Sequence, residues 1–280
     1  MVSTSISFDS PVRATCKELP VERVCTILAR VIKARAKASL ILLAAATSAF
    51  PARCSAQAVP SRDQWGEKFN SPGAKLIYKE TARTRIQGRT VTTYSLFATG
   101  LPKDGHYILW VLNVLSDPKA TADAYLNEDG KVASVLADPA HHVAEDPINV
   151  KASGGRGEPV ELGLISDDGR FRAFAQIVPF PMEASSGPCH LSAVETGPYY
   201  FSMFIRASGF QPNEELMIEN QSENEGAETS GKADDNGGYD SLIFPFVKGK
   251  RSGKARFYIS AKSCQVGIEF PWGEGSYHYQ

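Results

Sequence analysis

The sequence lacks a dominant charge, and it has almost no long apolar run. Thirty Lys/Arg against 31 Asp/Glu leave a formal net charge of −1 over 280 residues. That excludes a strongly basic nucleic-acid binder, which must offset phosphate charge with a cationic excess. The longest predominantly apolar stretch runs from Ala38 to Phe50, 13 residues. A membrane-spanning helix needs about 20, so a multi-span membrane protein is excluded too. Cysteine (5), histidine (5), methionine (4) and tryptophan (3) are all scarce. No Gly-x-Ser-x-Gly elbow and no His-Glu-x-x-His zinc helix occurs, so two common hydrolase signatures are missing. No amphipathic stretch of about 12 residues or more stands out, although Pro118 to Tyr125 has room for a short helix.

Glycine and proline are plentiful, 23 and 17 residues. With 42% hydrophobic residues, the composition fits a turn-rich globular β protein and not a disordered chain. The near-neutral charge is unevenly distributed. Residues 1–56 hold eight Lys/Arg and three Asp/Glu, so the remainder is acidic. The basic excess precedes the apolar run: Arg30, Lys33, Arg35 and Lys37, then Ala38–Phe50, then small residues at Cys54-Ser55-Ala56 and Ala56-Gln57-Ala58. This is the order of a secretory signal peptide, with cleavage expected after Ala56 or after Ala58. Residues 1–58 are therefore read as an N-terminal extension and signal, touching the membrane only transiently. Arg53 precedes Cys54 where a lipid-modified cysteine normally follows a small residue, which argues against a lipoprotein. The expected location is periplasmic or extracellular.

Three of the five cysteines, Cys16, Cys25 and Cys54, lie before the cut. The remaining pair, Cys189 and Cys264, suits an oxidising compartment. Cys189 alternates with Leu191 and Ala193, and Cys264 with Val266, Ile268 and Phe270. Both sulfurs are thus expected to face one core and to form a disulfide.

Downstream of a polar lead from Gln57 to Gly73, short strand-like runs dominate. The first set is Lys75–Lys79, Thr90–Ala98, Tyr107–Leu115, Lys131–Leu136, Ile148–Lys151, Val160–Ile165 and Arg170–Val178. The second is Cys189–Val194, Tyr199–Ala207, Glu215–Glu219, Tyr239–Phe246, Ala255–Ala261 and Cys264–Phe270. Alternation is clearest in Tyr199, Phe201, Met203, Ile205 and Ala207, the pattern of a sheet with one buried face. Asp-Gly and Asn-Gly pairs at Asp104, Asp129, Asp168 and Asn236 supply turns. Pro179 to Pro188 reads as a linker.

The two sets echo each other. Ala98-Thr99-Gly100-Leu101 parallels Ala207-Ser208-Gly209-Phe210 at an offset of 109, and Asn127–Gly130 parallels Asp234–Gly237 at 107. Two β-sandwich domains, 74–180 and 189–280, are expected. Gly209-Phe210-Gln211-Pro212-Asn213-Glu214, followed by Asp234-Asp235-Asn236-Gly237-Gly238-Tyr239, resembles bacterial immunoglobulin-like β-sandwich repeats of exported proteins. The resemblance is clearest over residues 189–270. It implies a sandwich fold with a binding, spacer or adhesive role, and it transfers no catalytic residues. Asn213 stands where glycine is common, and the acidic stretch Glu223–Glu228 departs from the pattern.

Other motifs fail on their own chemistry. Gly226–Ala233 approaches a Walker A loop, but Ala233 stands where Mg²⁺ needs a hydroxyl, so a solvated hairpin is expected there. Ser116-Asp117-Pro118-Lys119 spells Ser-x-x-Lys without its partner motifs. His141 and His142, flanked by Asp138, Glu145 and Asp146, are adjacent and would point to opposite sides of a strand, so no metal site is assigned. Counting back from Asp129-Gly130 or Asn236-Gly237 places Tyr125 or Lys232 at the first ligand position, so neither is a calcium loop.

Two surface candidates remain. Lys248, Lys250, Arg251 and Lys254 form a possible anion-binding patch. Trp272, Tyr277 and Tyr279 form a possible aromatic platform for a ligand. The reading is an exported, non-catalytic binding or structural module at the cell envelope, with an envelope protein or glycan as partner and no cofactor. The alternative is a secreted hydrolase with a loop-built carboxylate/His site drawn from Asp138, His141, Glu145 and Asp146.

Overall fold

A computed structural model describes residues 60–137 and 143–277. The signal segment, with Cys16, Cys25 and Cys54, lies outside the described residues, as do Asp138, His141, His142 and Tyr279. The fold is all-β, built from antiparallel sheets. The N-terminal half holds β1 (Lys75–Ile86), β2 (Arg89–Thr99), β3 (Tyr107–Asn113), β4 (Lys119–Leu126), β5 (Val132–Ala137), β6 (Val143–Pro147), β7 (Asn149–Ala152), β8 (Val160–Ser166) and β9 (Arg172–Ile177). The C-terminal half holds β10 (Met182–Ser186), β11 (Cys189–Gly197), β12 (Ser202–Ser208), β13 (Glu215–Ser222), β14 (Glu225–Lys232), β15 (Tyr239–Ile243), β16 (Ser252–Ser260) and β17 (Gln265–Gly273).

In the first half, β1-β2-β7 faces β6-β5-β4-β3-β8-β9; in the second, β10-β11-β12-β15 faces β14-β13-β16-β17. Each pair of sheets encloses its own core. Leu96, Leu109, Leu162 and Leu164 are fully buried in one. Leu191, Met203, Ile205, Ile259 and Trp272 are fully buried in the other. Without β5, β6 and β10, both halves follow the same path through their sheets.

The echoed motifs occupy matching places on that path. Gly100 (φ +71°) follows β2 and Gly209 (φ +90°) follows β12. A Cβ on Gly100 would lie 2.2 Å from the Gly73 carbonyl oxygen, and one on Gly209 2.0 Å from that of Pro188. Each glycine lets its corner close on the backbone just before a strand, β1 for Gly100 and β11 for Gly209. After β4, the Asn127 side chain accepts from the backbone N–H of Asp129 (3.0 Å) and Lys131 (2.8 Å). After β14, Asp234 accepts from Asn236 (2.8 Å) and Gly238 (2.7 Å). These are Asx turns, in which a short polar side chain imitates a backbone turn.

Three stretches differ from the sequence reading. Residues 119–126 form strand β4 instead of a helix, because β3 and β5 pair with it on its two sides. Pro179–Pro188 is not all linker, since β10 pairs with β11 from Met182↔Ala193 to Ser186↔Cys189. The Walker-like stretch is strand β14, paired with β13 from Glu215↔Lys232 to Ser222↔Glu225. The polar lead also has structure. Trp65 packs on Phe174 with ring centroids 5.2 Å apart, beside Trp110, Leu112 and Ile165. It covers the outer face of β3, β8 and β9, which is why β3 is apolar on both faces.

Cys189 and Cys264 are disulfide-bonded, with Cα atoms 6.3 Å apart across 75 residues. The bridge joins the start of β11 to the turn before β17, so it ties one sheet to the other. Replacing Cys264 by Ser is expected to cost about 4 kcal/mol in denaturant unfolding, the loop-closure value for that separation, and reductant should reproduce the loss. Gly209→Ala should cost more than about 1 kcal/mol, since it combines a positive φ with a backbone clash.

Candidate functional site

The described residues fall in one compact unit, and the two halves meet along a seam. Residues 153–159, between β7 and β8, are buried except Arg156. The Gly157 N–H donates to the Phe180 carbonyl (2.7 Å), and the Glu195 N–H on β11 donates to the Gly157 carbonyl (2.9 Å). A Cβ on Gly155 would lie 2.2 Å from the Tyr200 hydroxyl and 3.3 Å from the Tyr277 ring, so only glycine allows this approach.

On the other side of the seam, Tyr199 and Tyr200 take left-handed backbone angles, φ 59° and 57°. Such angles are costly for residues with a side chain and persist only where the surroundings enforce them. Here they aim the Tyr200 N–H at Glu195 Oε1, 2.9 Å away. The Tyr277 hydroxyl donates to the same oxygen at 2.8 Å and accepts from the Tyr199 N–H at 2.9 Å.

The electrostatics follow from burial. Glu158 and Glu195 are each only 1% exposed. Glu158 Oε2 accepts the Gly155 N–H at 2.8 Å. Desolvation outweighs the two hydrogen bonds to Glu195, and the Glu158 charge adds to it, so the Glu195 carboxyl is pushed up to about 8. Burial, then the Glu195 charge, pushes the Tyr277 hydroxyl up as well. Glu195 is therefore a neutral acid at pH 7. Its Oε2 has no hydrogen-bond partner among the described residues.

A small cavity of about 130 Å³ lies beside Glu195, lined by Arg62, Asn113, Glu161 and Gln176 among others. The Arg62 guanidinium donates to the carbonyls of Asn113, Val114 and Ser116 and so closes the loop after β3. The space suits a few water molecules and not a sugar or peptide. A two-carboxylate hydrolase needs its acid and base open to substrate. Glu158 and Glu195 are the buried carboxylates among the described residues, and both are enclosed at the seam.

The sequence candidates are scattered. Lys248, Lys250 and Arg251 are exposed on the connection between β15 and β16, and Lys254 is exposed near the start of β16. Lys250 pairs with Glu223 at 3.3 Å, and Glu223 also accepts the Lys254 N–H at 2.7 Å. Trp272 is fully buried in the second core, its indole N–H donating to Ser222 at 2.8 Å. Tyr277 is part of the seam. Trp272 shares the inward side of β17 with Ile268 and Phe270 and offers no open face, so it takes no part in a ligand platform; Tyr277 is half-buried, its hydroxyl bonded to Glu195. Of the carboxylate/His set, Asp146 is half-buried on β6, with its backbone opposite Ser134. An open groove of about 1010 Å³ lies along β13 and β14, lined by Asn213, Met217, Glu228, Lys232 and Lys262 among others.

Glu195 was legible and missed. It continues the inward register of Cys189, Leu191 and Ala193 along β11, and a carboxylate at an inward position signals a built polar contact. Among known proteins, no family model and no curated sequence matches the chain.

The raised acid sets a pH dependence. Its ordinary value is 4.5, so below that both folded and unfolded chains hold the proton and no penalty arises. As pH rises from 4.5 towards about 8 the unfolded chain ionises first, and stability falls by up to about 1.4 kcal/mol per pH unit from this group. Glu195→Gln should flatten that slope in urea unfolding between about pH 5 and 8. Equal slopes in both proteins would show that Glu195 does not set it.

Proposed function

We propose that the chain is an exported, non-catalytic tandem of two immunoglobulin-like β-sandwiches that serves as a binding or structural module at the cell envelope. The observation that carries this reading is the repeated sheet path. In each half two strands start one sheet, the next two start the facing sheet, one strand returns, and two complete the second sheet. This leaves β1-β2-β7 opposite β4-β3-β8-β9, and β11-β12-β15 opposite β14-β13-β16-β17. This strand order supports the reading of an immunoglobulin-like sandwich in each half.

Three further features support it. The disulfide suits an oxidising compartment. The most perturbed ionisable groups, Glu195 and Tyr277, bond to each other within the seam, where the Glu195 backbone N–H reaches Gly157 of the first half. The buried seam makes the pair a rigid spacer, with its free edges and loops available for contact. Residues 1–58 supply the export signal in this reading.

Fractionation followed by N-terminal sequencing and non-reducing mass mapping tests it. The expected product is an exported chain that begins at Gln57 or Val59 and carries the Cys189–Cys264 link. An uncleaved cytosolic chain with both thiols free would overturn the proposal.

A further inference from the structure

Three of the four most exposed large apolar side chains among the described residues lie at one edge. Between 239 and 247 the chain alternates without a break. Ile243, Pro245 and Val247 are buried, while Asp240, Leu242, Phe244 and Phe246 point out. Leu242, Phe244 and Phe246 are 52%, 57% and 53% exposed, and with Met217 they are the most exposed large apolar side chains among the described residues. Leu242 lies opposite Phe204, which lies opposite Val194, so an apolar row crosses the outer face of the sheet and ends at the edge. The next row is closed by the Arg206–Asp240 ion pair (3.2 Å).

The fold does not force this. β7, the matching strand of the first half, turns exposed Asn149 and half-buried Lys151 outward. β15 is also an edge strand, paired only with β12, so one side of its backbone is unsatisfied by the sheet. Natural edges of this kind are usually guarded by charge. Here the seven residues from Ser241 to Val247 carry none. The chain then runs directly into Lys248, Lys250, Arg251 and Lys254.

We propose that the β15 edge is a docking site for an extended segment of an acidic partner protein, which adds as a strand beside β15. Its alternate apolar side chains would rest on Leu242, Phe244 and Phe246, and carboxylates just beyond them would meet Lys248, Arg251 and Lys254. Strand addition accounts for three observations at once. Backbone pairing satisfies the open edge, the two-residue side-chain period matches the exposed row, and the charge change along the site gives the ligand its direction. A lipid surface would use the aromatics and the cations but would leave the edge backbone unpaired in a medium that cannot satisfy it. The proposal rests on reading the chain as a binding module, and it can fail while export and the disulfide stand.

The test uses the exported, disulfide-bonded chain and three probes. The first is a synthetic peptide of alternating valine and threonine ending in glutamates, and the second is the same peptide ending in lysines. The third is vesicles of phosphatidylglycerol and phosphatidylcholine. Fluorescence anisotropy should show the glutamate peptide binding about tenfold more tightly than the lysine peptide, and more weakly as salt rises. Leu242→Lys should abolish binding. Lys248→Glu combined with Arg251→Glu should remove the preference between the peptides; these side chains are exposed, so the thermal midpoint should match the parent. Equal binding of the two peptides would overturn the proposal. So would vesicle binding without peptide binding, a Phe244-dependent dimer that binds neither peptide, or no binding to any probe.

Discussion

The seam between the halves is the constraint on which the rest of the molecule depends. A loop with three glycines is pressed between two cores, and its backbone must find partners in a place water cannot reach. Gly157 finds them in Phe180 and Glu195. Once that loop is fixed, the other features of the seam follow. Gly155 brings the backbone onto the Tyr200 hydroxyl, and the turn at Tyr199 and Tyr200 must take left-handed angles to present its N–H groups. Glu195 then accepts from that turn and from Tyr277. Burial keeps the carboxyl protonated, so the seam holds a neutral acid instead of an unpaired charge. The two halves, each with its own core, thereby belong to one compact unit.

The halves share a path but differ where the chain makes contact. The sequence offset is 107 at the Asx turns, Asn127 and Asp234, and falls to 90 at the returning strands, Asn149 and Tyr239. The difference is β5 and β6, present only in the first half. Val132 on β5 and Ile148, just after β6, pack into that half's core. The second half has no such hairpin, and its returning strand carries Leu242 and leads into Phe244 and Phe246. The two halves thus share their corners and differ at their edges.

Much of the fold was legible because its core positions obey a period of two. Met203, Ile205 and Ala207 recur at every second position and are buried as that period requires, and Cys189 and Cys264 face one core for the same reason. The misreadings have physical causes. Lys119–Leu126 is rich in alanine, a good helix former, but the open edge of β3 offered more through sheet pairing than local propensity could. β10 hides between prolines, which an edge strand tolerates at its ends. β14 has almost no apolar residue to signal it and is defined only by the partner beside it. The seam was the hardest to foresee. Glu195, Tyr277 and Gly155 lie far apart in sequence, and only the inward register of Glu195 pointed to a contact. Trp272 and Tyr277 resemble an open platform in a Gly-rich tail, yet the inward register of β17 commits Trp272 to the core.

The central claim is that the two halves act as one body through this seam. Amide hydrogen exchange tests it most directly. The N–H groups of Gly157, Glu195 and Tyr200 should be protected as strongly as those of Leu191 and Ile205 in the second core, because they open only when the molecule opens. Exchange of those three amides at loop-like rates, while the sheets stay protected, would contradict the account and leave two independent modules on a flexible joint.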